Sequence, residues 1–191
     1  MFKKLPFLAL LALAGCANLA VMRSVPMSTI SRLAALDLGT ISPSELRIAA
    51  RLPPGLEPRP GGATVRLQWS AAGNKETLNF VLREELAPEE AGRLARYETA
   101  GAHIWIFRLS EGDVTRLNVA RYRALKAAVP VALSVSADVA VCRSVGLSTG
   151  ALLTTTYLRT DGADYFPLSE NLDLRSIASD QELASKVPPC Q

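Results

Sequence analysis

The sequence predicts a mainly β fold: an antiparallel β-sandwich-like domain with decorating helices, or, as the alternative, an α+β fold with helices on one face of an antiparallel sheet. Three observations lead there. Segments alternating apolar and polar residues with period two recur from residue 45 onward. Most connections between them are short and carry turn residues, which favours antiparallel neighbours. Only one connection, 114–128, holds a long helical pattern, whereas a parallel sheet needs a crossover at every step.

The elements follow in order. Residues 28–38 predict a short helix with Ile30, Leu33 and Leu36 on one face and Gly39 as its stop. Residues 45–52 predict a strand, since Leu46, Ile48, Ala50 and Leu52 alternate with Arg47, Ala49 and Arg51. Residues 53–62 contain four prolines and three glycines and predict a loop. Such a loop connects strands, or else offers a proline-rich surface to a partner. Strands at 64–70 (Val65, Leu67, Trp69) and 77–83 (Leu78, Phe80, Leu82) flank the turn-like residues 71–76 and predict a hairpin.

Pro88-Glu89-Glu90 reads as the first turn of a short helix ending near Arg96, with proline at N1 and acids at the positive end of the dipole. Residues 103–109 are dense in Ile, Trp and Phe and predict a central strand. Ser110 with Asp113 forms a weak capping box for a helix in which Val114, Leu117, Arg121, Leu125 and Ala128 recur at helical spacing, ended by Pro130. Val131 to Val141 alternates through a long strand, 151–159 is another, and Asp161-Gly162 turns toward an edge strand at Tyr165-Phe166. Ser179 and Glu182 form a capping box for a last helix, stopped by Pro188-Pro189. No internal repeat is present.

At the N-terminus, Lys3 and Lys4 precede an uncharged apolar run over residues 5–14, too short for the about 20 residues a membrane span requires. The run ends in Leu13-Ala14-Gly15-Cys16, which resembles the lipobox of bacterial lipoproteins. The resemblance covers the first sixteen residues only. It implies thioether lipidation of Cys16, cleavage before it, and acylation of the new amino terminus. Two or more chains anchor a protein stably where one does not. Ala17 in place of Asp implies the outer membrane. The resulting organisation is a signal peptide at 1–15, a lipid-anchored tether at 16–40, and a single β-rich domain at 41–191. The bland alternative is an uncleaved helix continuing to Met22, which Pro6, Gly15 and Asn18 disfavour.

Cleavage leaves 176 residues, one domain with a core of ordinary size. Lys3 and Lys4 account for two of the formal +3, so the mature chain carries +1 and gives no case for nucleic-acid binding. Beyond Cys16 the cysteines are Cys142 and Cys190; an even remainder in an oxidising compartment reads as one disulfide, with two free thiols as the alternative.

No catalytic constellation is complete. Gly146-Leu147-Ser148-Thr149-Gly150 matches the nucleophile-elbow pattern, but a strand pattern follows Ser148 where a helix is needed, and the single histidine, His103, lies upstream. One histidine cannot supply the imidazoles of a usual catalytic zinc site, and Cys142 and Cys190 form no Cys-x-x-Cys pair. Glu84, Glu85, Glu89 and Glu90 read as a solvated loop and helix start rather than a glycosidase pair. Asp161 and Asp164 lack a calcium loop around them. Arg116, Arg123 and Lys126 read as a solvated helix face, and Trp69 and Trp105 as core. The expectation is a non-catalytic, lipid-anchored envelope protein that needs no metal or cofactor and binds or scaffolds an envelope partner. The alternatives are an apolar-ligand carrier with a cavity between sheet and helix, and an envelope hydrolase of unfamiliar type.

Overall fold

A computed structural model describes residues 21–71, 74–126, 133–144, 146–162 and 164–191. The signal segment, Cys16, Pro130 and Val131 lie outside the described residues. The strands are β1 (Arg47–Leu52), β2 (Leu56–Ala71), β3 (Asn74–Val81), β4 (Arg83–Glu84), β5 (His103–Arg108), β6 (Leu133–Arg143), β7 (Leu153–Arg159) and β8 (Phe166–Asp173). The α-helices are α1 (Met27–Ala34), α2 (Pro88–Leu94), α3 (Glu111–Lys126) and α4 (Asp180–Lys186). Among the described residues no helix is long and apolar enough to cross a membrane.

Two antiparallel sheets carry the fold, as the alternation predicts: one in the order β4-β5-β1-β7-β8, the other β3-β2-β6. The chain passes between them at Pro53–Gly55, at Leu82, across α3, and through residues 144–152. Ile48, Ala50 and Leu52 of β1, Phe107 of β5 and Leu158 of β7 share one buried cluster with Val65, Leu67, Trp69 and Phe80 of the smaller sheet. Alternation puts these residues on the inner faces. The hairpin between β2 and β3 forms, with Leu67 opposite Leu78 and Val65 opposite Phe80, and its strands run further into the expected 71–76 turn, Ser70 pairing with Lys75 and Ala71 with Asn74.

The proline-rich stretch departs from its expectation. Only Pro53–Gly55 turns; from Leu56 onward the chain is strand, and Pro58 pairs with Val141 before the register shifts and resumes at Ala63 with Val139. Pro58 and Pro60 are tolerated because β3 pairs with β2 only from Thr64 on, so no neighbour on that side needs their missing N–H groups. Within the bulge Gly61 has a φ of 67°, and a Cβ on Gly62 would meet Ala140 and the Arg59 carbonyl at 3.0 Å.

Other differences are of position. The predicted central strand, β5, is one place from the edge, and β1 is central. β5 is nevertheless covered, because the chain after β4 folds over it: Glu85 N–H donates to the Ile106 carbonyl at 2.8 Å. In α3 the buried positions are Leu117 and Ala124, with Leu125 left 52 % exposed. A small alanine lets the helix approach closely where Leu125 does not fit. In α1 the inward residues are Thr29 and Leu33, while Ile30 faces out.

The described part of the connecting segment is packed onto the domain. α1 lies against β6 and β8, Thr29 Oγ1 donates to the Pro167 carbonyl, and Glu170 N–H donates to the Ser24 carbonyl at 2.6 Å. β8 is an edge strand, as expected, but longer than Tyr165-Phe166 suggests. At the other terminus the capping box of α4 forms: Ser179 Oγ accepts from Glu182 N–H at 3.3 Å, and Ser179 N–H donates to Glu182 Oε2 at 2.9 Å. The Ser179 N–H, and then the Ser179 hydroxyl, which donates to the same Oε2 at 2.9 Å, hold the Glu182 carboxyl below its usual range.

Cys142 and Cys190 form a disulfide with Cα atoms 5.0 Å apart, as the even count predicts. It is reinforced by backbone bonds, Arg143 N–H to the Pro188 carbonyl and Cys190 N–H to the Arg143 carbonyl, each 2.9 Å. The bridge pins the C-terminus to the end of β6 across a separation of 48 residues. Chain entropy gives such a loop about 4 kcal/mol, an upper figure. Replacing either cysteine by serine is therefore predicted to lower the unfolding free energy in urea by up to about 4 kcal/mol. An unchanged midpoint for both variants contradicts this.

Candidate functional site

The two sheets meet at β1 and β2, and between β6 on one side and β7 and β8 on the other lies a cleft of about 450 Å³. Its floor is Ala50 and Leu52 of β1; one wall is Val135, Ala137, Val139 and Val141 of β6; the other is Thr154 and Thr156 of β7 with Leu168 and Leu172 of β8. Val21, Val25 and Leu33 close it from the N-terminal segment, and Leu174 and Ile177 from the chain after β8.

The local reasons are readable. On β6, strict alternation aims the odd-numbered residues inward, opposite Ala63, Val65 and Leu67 of β2. Asp138, an ionisable residue at the rim, sits on the exposed, even-numbered side. On β8, alternation alone would put Leu168, Glu170 and Leu172 on one face, yet Glu170 is exposed and is not in the lining. Register shifts around Thr156 bend the strand, and Asn171 adopts a φ of 49°. That strained residue is fixed by Arg51, whose Nη2 donates to Asn171 Oδ1 at 2.6 Å, and by its own N–H, which donates to Thr155 Oγ1 at 3.1 Å. Sequence reading misses Leu168 and Leu172 because the polar Glu170 occupies the position between them on the period-two face, and misses Val21 and Val25 because they lie in a segment without such a period.

A second assembly lies on the outer face of the larger sheet. Arg47 and Arg159 sit directly opposite each other on β1 and β7. Arg159 Nη2 donates to Glu90 Oε1 at 3.0 Å, its Nη1 lies 3.3 Å from Glu45, and Tyr165 Oη donates to Glu90 Oε2 at 2.6 Å. Arg47 binds Glu85 through Nε and through Nη2, the latter at 3.2 Å. Burial, and then the bond to Glu90, push the Tyr165 phenol well above its usual range. The solvated reading thus holds for Glu84 and Glu89, which are exposed, and fails for Glu85 and Glu90. The two inward carboxylates answer arginines whose like charges face each other across the strands. Both oxygens of Glu90 are engaged, so the assembly fastens α2 to the sheet beside Ala49, Leu94, Ile106 and Tyr157.

The remaining candidates stay apart. Ser148 lies in the connection between β6 and β7, accepting a bond from Gly150 N–H at 3.0 Å. Arg175 holds this turn through the Ser148 and Gly150 carbonyls. His103 is exposed at the start of β5, its ring 4.8 Å from that of Trp105. It lines a shallow pocket with Pro53, Pro54 and Ser144, and Ser148 is not in that lining. Arg116 stacks on Phe80 at 4.4 Å and Lys126 lies 4.7 Å from the Tyr122 ring, so the basic stripe is partly engaged by its own surface. Asp164 pairs with Arg96 at 3.1 Å. Trp69 is core, and Trp105 is partly buried against it.

No protein-family model, curated protein or solved structure matches the chain.

Two predictions arise here. Removing one member of a buried ion pair strands the other charge, so Glu90→Gln is predicted to cost about 3–5 kcal/mol. In a double-mutant cycle with Arg159→Met the coupling is expected to exceed about 1 kcal/mol; a coupling near zero sinks the assignment. Ser148 is predicted not to react with a fluorophosphonate probe, and Ser148→Ala to leave the melting temperature within about a degree or two, as for an exposed turn residue. Stoichiometric labelling at Ser148 that depends on His103 reverses this and makes the protein a hydrolase.

Proposed function

We propose that this is a non-catalytic lipoprotein of the bacterial cell envelope, anchored by lipid at Cys16, facing the periplasm from the outer membrane, and acting through binding. The observation that carries the reading is the N-terminal sequence: a basic start, a ten-residue apolar run over 5–14, and Leu13-Ala14-Gly15-Cys16. The disulfide between Cys142 and Cys190 supports it, since such bonds persist in oxidising compartments. In its broad form the proposal is a scaffold for an envelope partner.

The inter-sheet cleft favours a narrower second reading, a carrier of apolar ligands. Its volume of about 450 Å³ lies in the range of about 300–1,000 Å³ usual for small-molecule sites. Its lining is mostly aliphatic, with threonine hydroxyls on one wall.

The anchor is tested by mass spectrometry of protein extracted from membranes. The expected mature chain begins at a lipid-modified Cys16, and Cys16→Ser is expected to accumulate as uncleaved precursor. An unmodified Cys16, or cleavage at another bond, refutes the proposal.

A further inference from the structure

We infer that the cleft between the sheets takes one acyl chain of a membrane phospholipid, which enters beside the N-terminal segment. This deepens the carrier reading and rests on it.

The cleft is unfinished core. Ala63, Val65 and Leu67 of β2 are 2 %, 0 % and 0 % exposed, yet their partners on β6, Val139, Ala137 and Val135, are only partly buried. Lining atoms with no partner opposite forfeit their dispersion contacts, so an apolar occupant is favoured. A charged occupant is not: among the described lining residues the ionisable one is Asp138, which lies at the rim on the exposed side of β6. The occupant must also be thin. A helix is about 10–12 Å across, as wide as the usual spacing of about 10 Å between packed sheets. An extended peptide would bury more backbone N–H and C=O groups among valine, leucine and alanine than the few threonine and serine hydroxyls of the lining can answer. A hydrocarbon chain meets both conditions.

Its source follows from the N-terminal segment. Val21 and Val25 line the cleft, and in the same segment Met22, Met27 and Ile30 are 72 %, 80 % and 50 % exposed, which makes its outer side apolar. Cys16 stands five residues before Val21, a reach of at most about 17 Å. A protein anchored at Cys16 therefore holds this segment at the bilayer surface, where an acyl chain can pass in without crossing water.

The test uses the full lipoprotein reconstituted in phosphatidylethanolamine–phosphatidylglycerol vesicles, with a trace of phosphatidylcholine bearing a diazirine on one acyl chain. After irradiation the adducts are mapped by peptide mass spectrometry. Adducts are expected on β6 and β8, around Val139 and Leu168. Ala137→Trp and Val139→Asp are each expected to reduce them by about tenfold or more, because protein atoms or a charge then occupy the slot, while adducts at Met22 and Met27 persist. The wild-type map decides the matter even if both variants misfold. Adducts confined to residues 21–30 mean surface contact only and overturn the proposal. Adducts in the cleft of an exported Cys16→Ser form, but not of the lipidated protein, mean that the protein's own anchor fills it, and overturn the proposal as well. A compact uncharged naphthalene dye that brightens with wild type but not Ala137→Trp, without acyl adducts, preserves the carrier reading and overturns the acyl chain. Failure of both probes removes the carrier reading itself.

Discussion

The inward faces of β1 and β2 form the contact on which the rest of the molecule depends. Ile48, Ala50 and Leu52 join Val65, Leu67 and Trp69 in one buried cluster, and these are the central strands of their sheets. Each fully buried aliphatic or aromatic side chain there contributes about 1.5–3 kcal/mol, an upper range because unfolded chains already bury some surface. The chain passes directly from β1 to β2 through Pro53–Gly55, so the connection that changes sheets lies at the end of the strands that pack. The cleft lies beside this contact, between β6 at the edge of the smaller sheet and β7 and β8 of the larger.

The outer face of the larger sheet solves a different problem. Arg47 and Arg159 are opposed across the β1–β7 pair, an arrangement that destabilises a sheet when unanswered. Glu85 and Glu90, both from the segment that leaves β4 and begins α2, bring the opposite charges. Tyr165 donates to Glu90 and completes the set, so the α2 segment is attached by charge as well as by Leu94 and Ile106. With this face closed by α2, the cleft lies on the other side of the larger sheet, between β6 and β8, and α1 packs on both of those strands.

The local elements were legible where a single period ran undisturbed. β1, β3 and β6 follow from alternation, over Leu46 to Leu52, Leu78 to Leu82 and Leu133 to Val141, and β7 from the β-branched run before Arg159. The caps Ser110 and Ser179 mark their helices because a hydroxyl and an acid three residues on satisfy free N–H groups locally. Legibility failed where a neighbour decided. Pro58 and Pro60 argue for a loop until it is known that one side of β2 lacks a partner there. Glu90 looks solvated until Arg159, 69 residues later, is placed against it. Glu170, which shares the period-two face of Leu168 and Leu172, is kept out of the cleft where β8 bends.

The sequence by itself determined the antiparallel, mainly β character, the capped helices and the pairing of Cys142 with Cys190, because each follows from side-chain period, local hydrogen bonding or an even count. The Leu-Ala-Gly-Cys signature is likewise a property of adjacent residues and owes nothing to the fold. Only the tertiary structure decided which strands lie at the centre, which carboxylates are buried, and where the core is left incomplete. Those features depend on the distance between segments remote in sequence, and on how far two twisted surfaces stay in contact, which no run of neighbouring residues encodes.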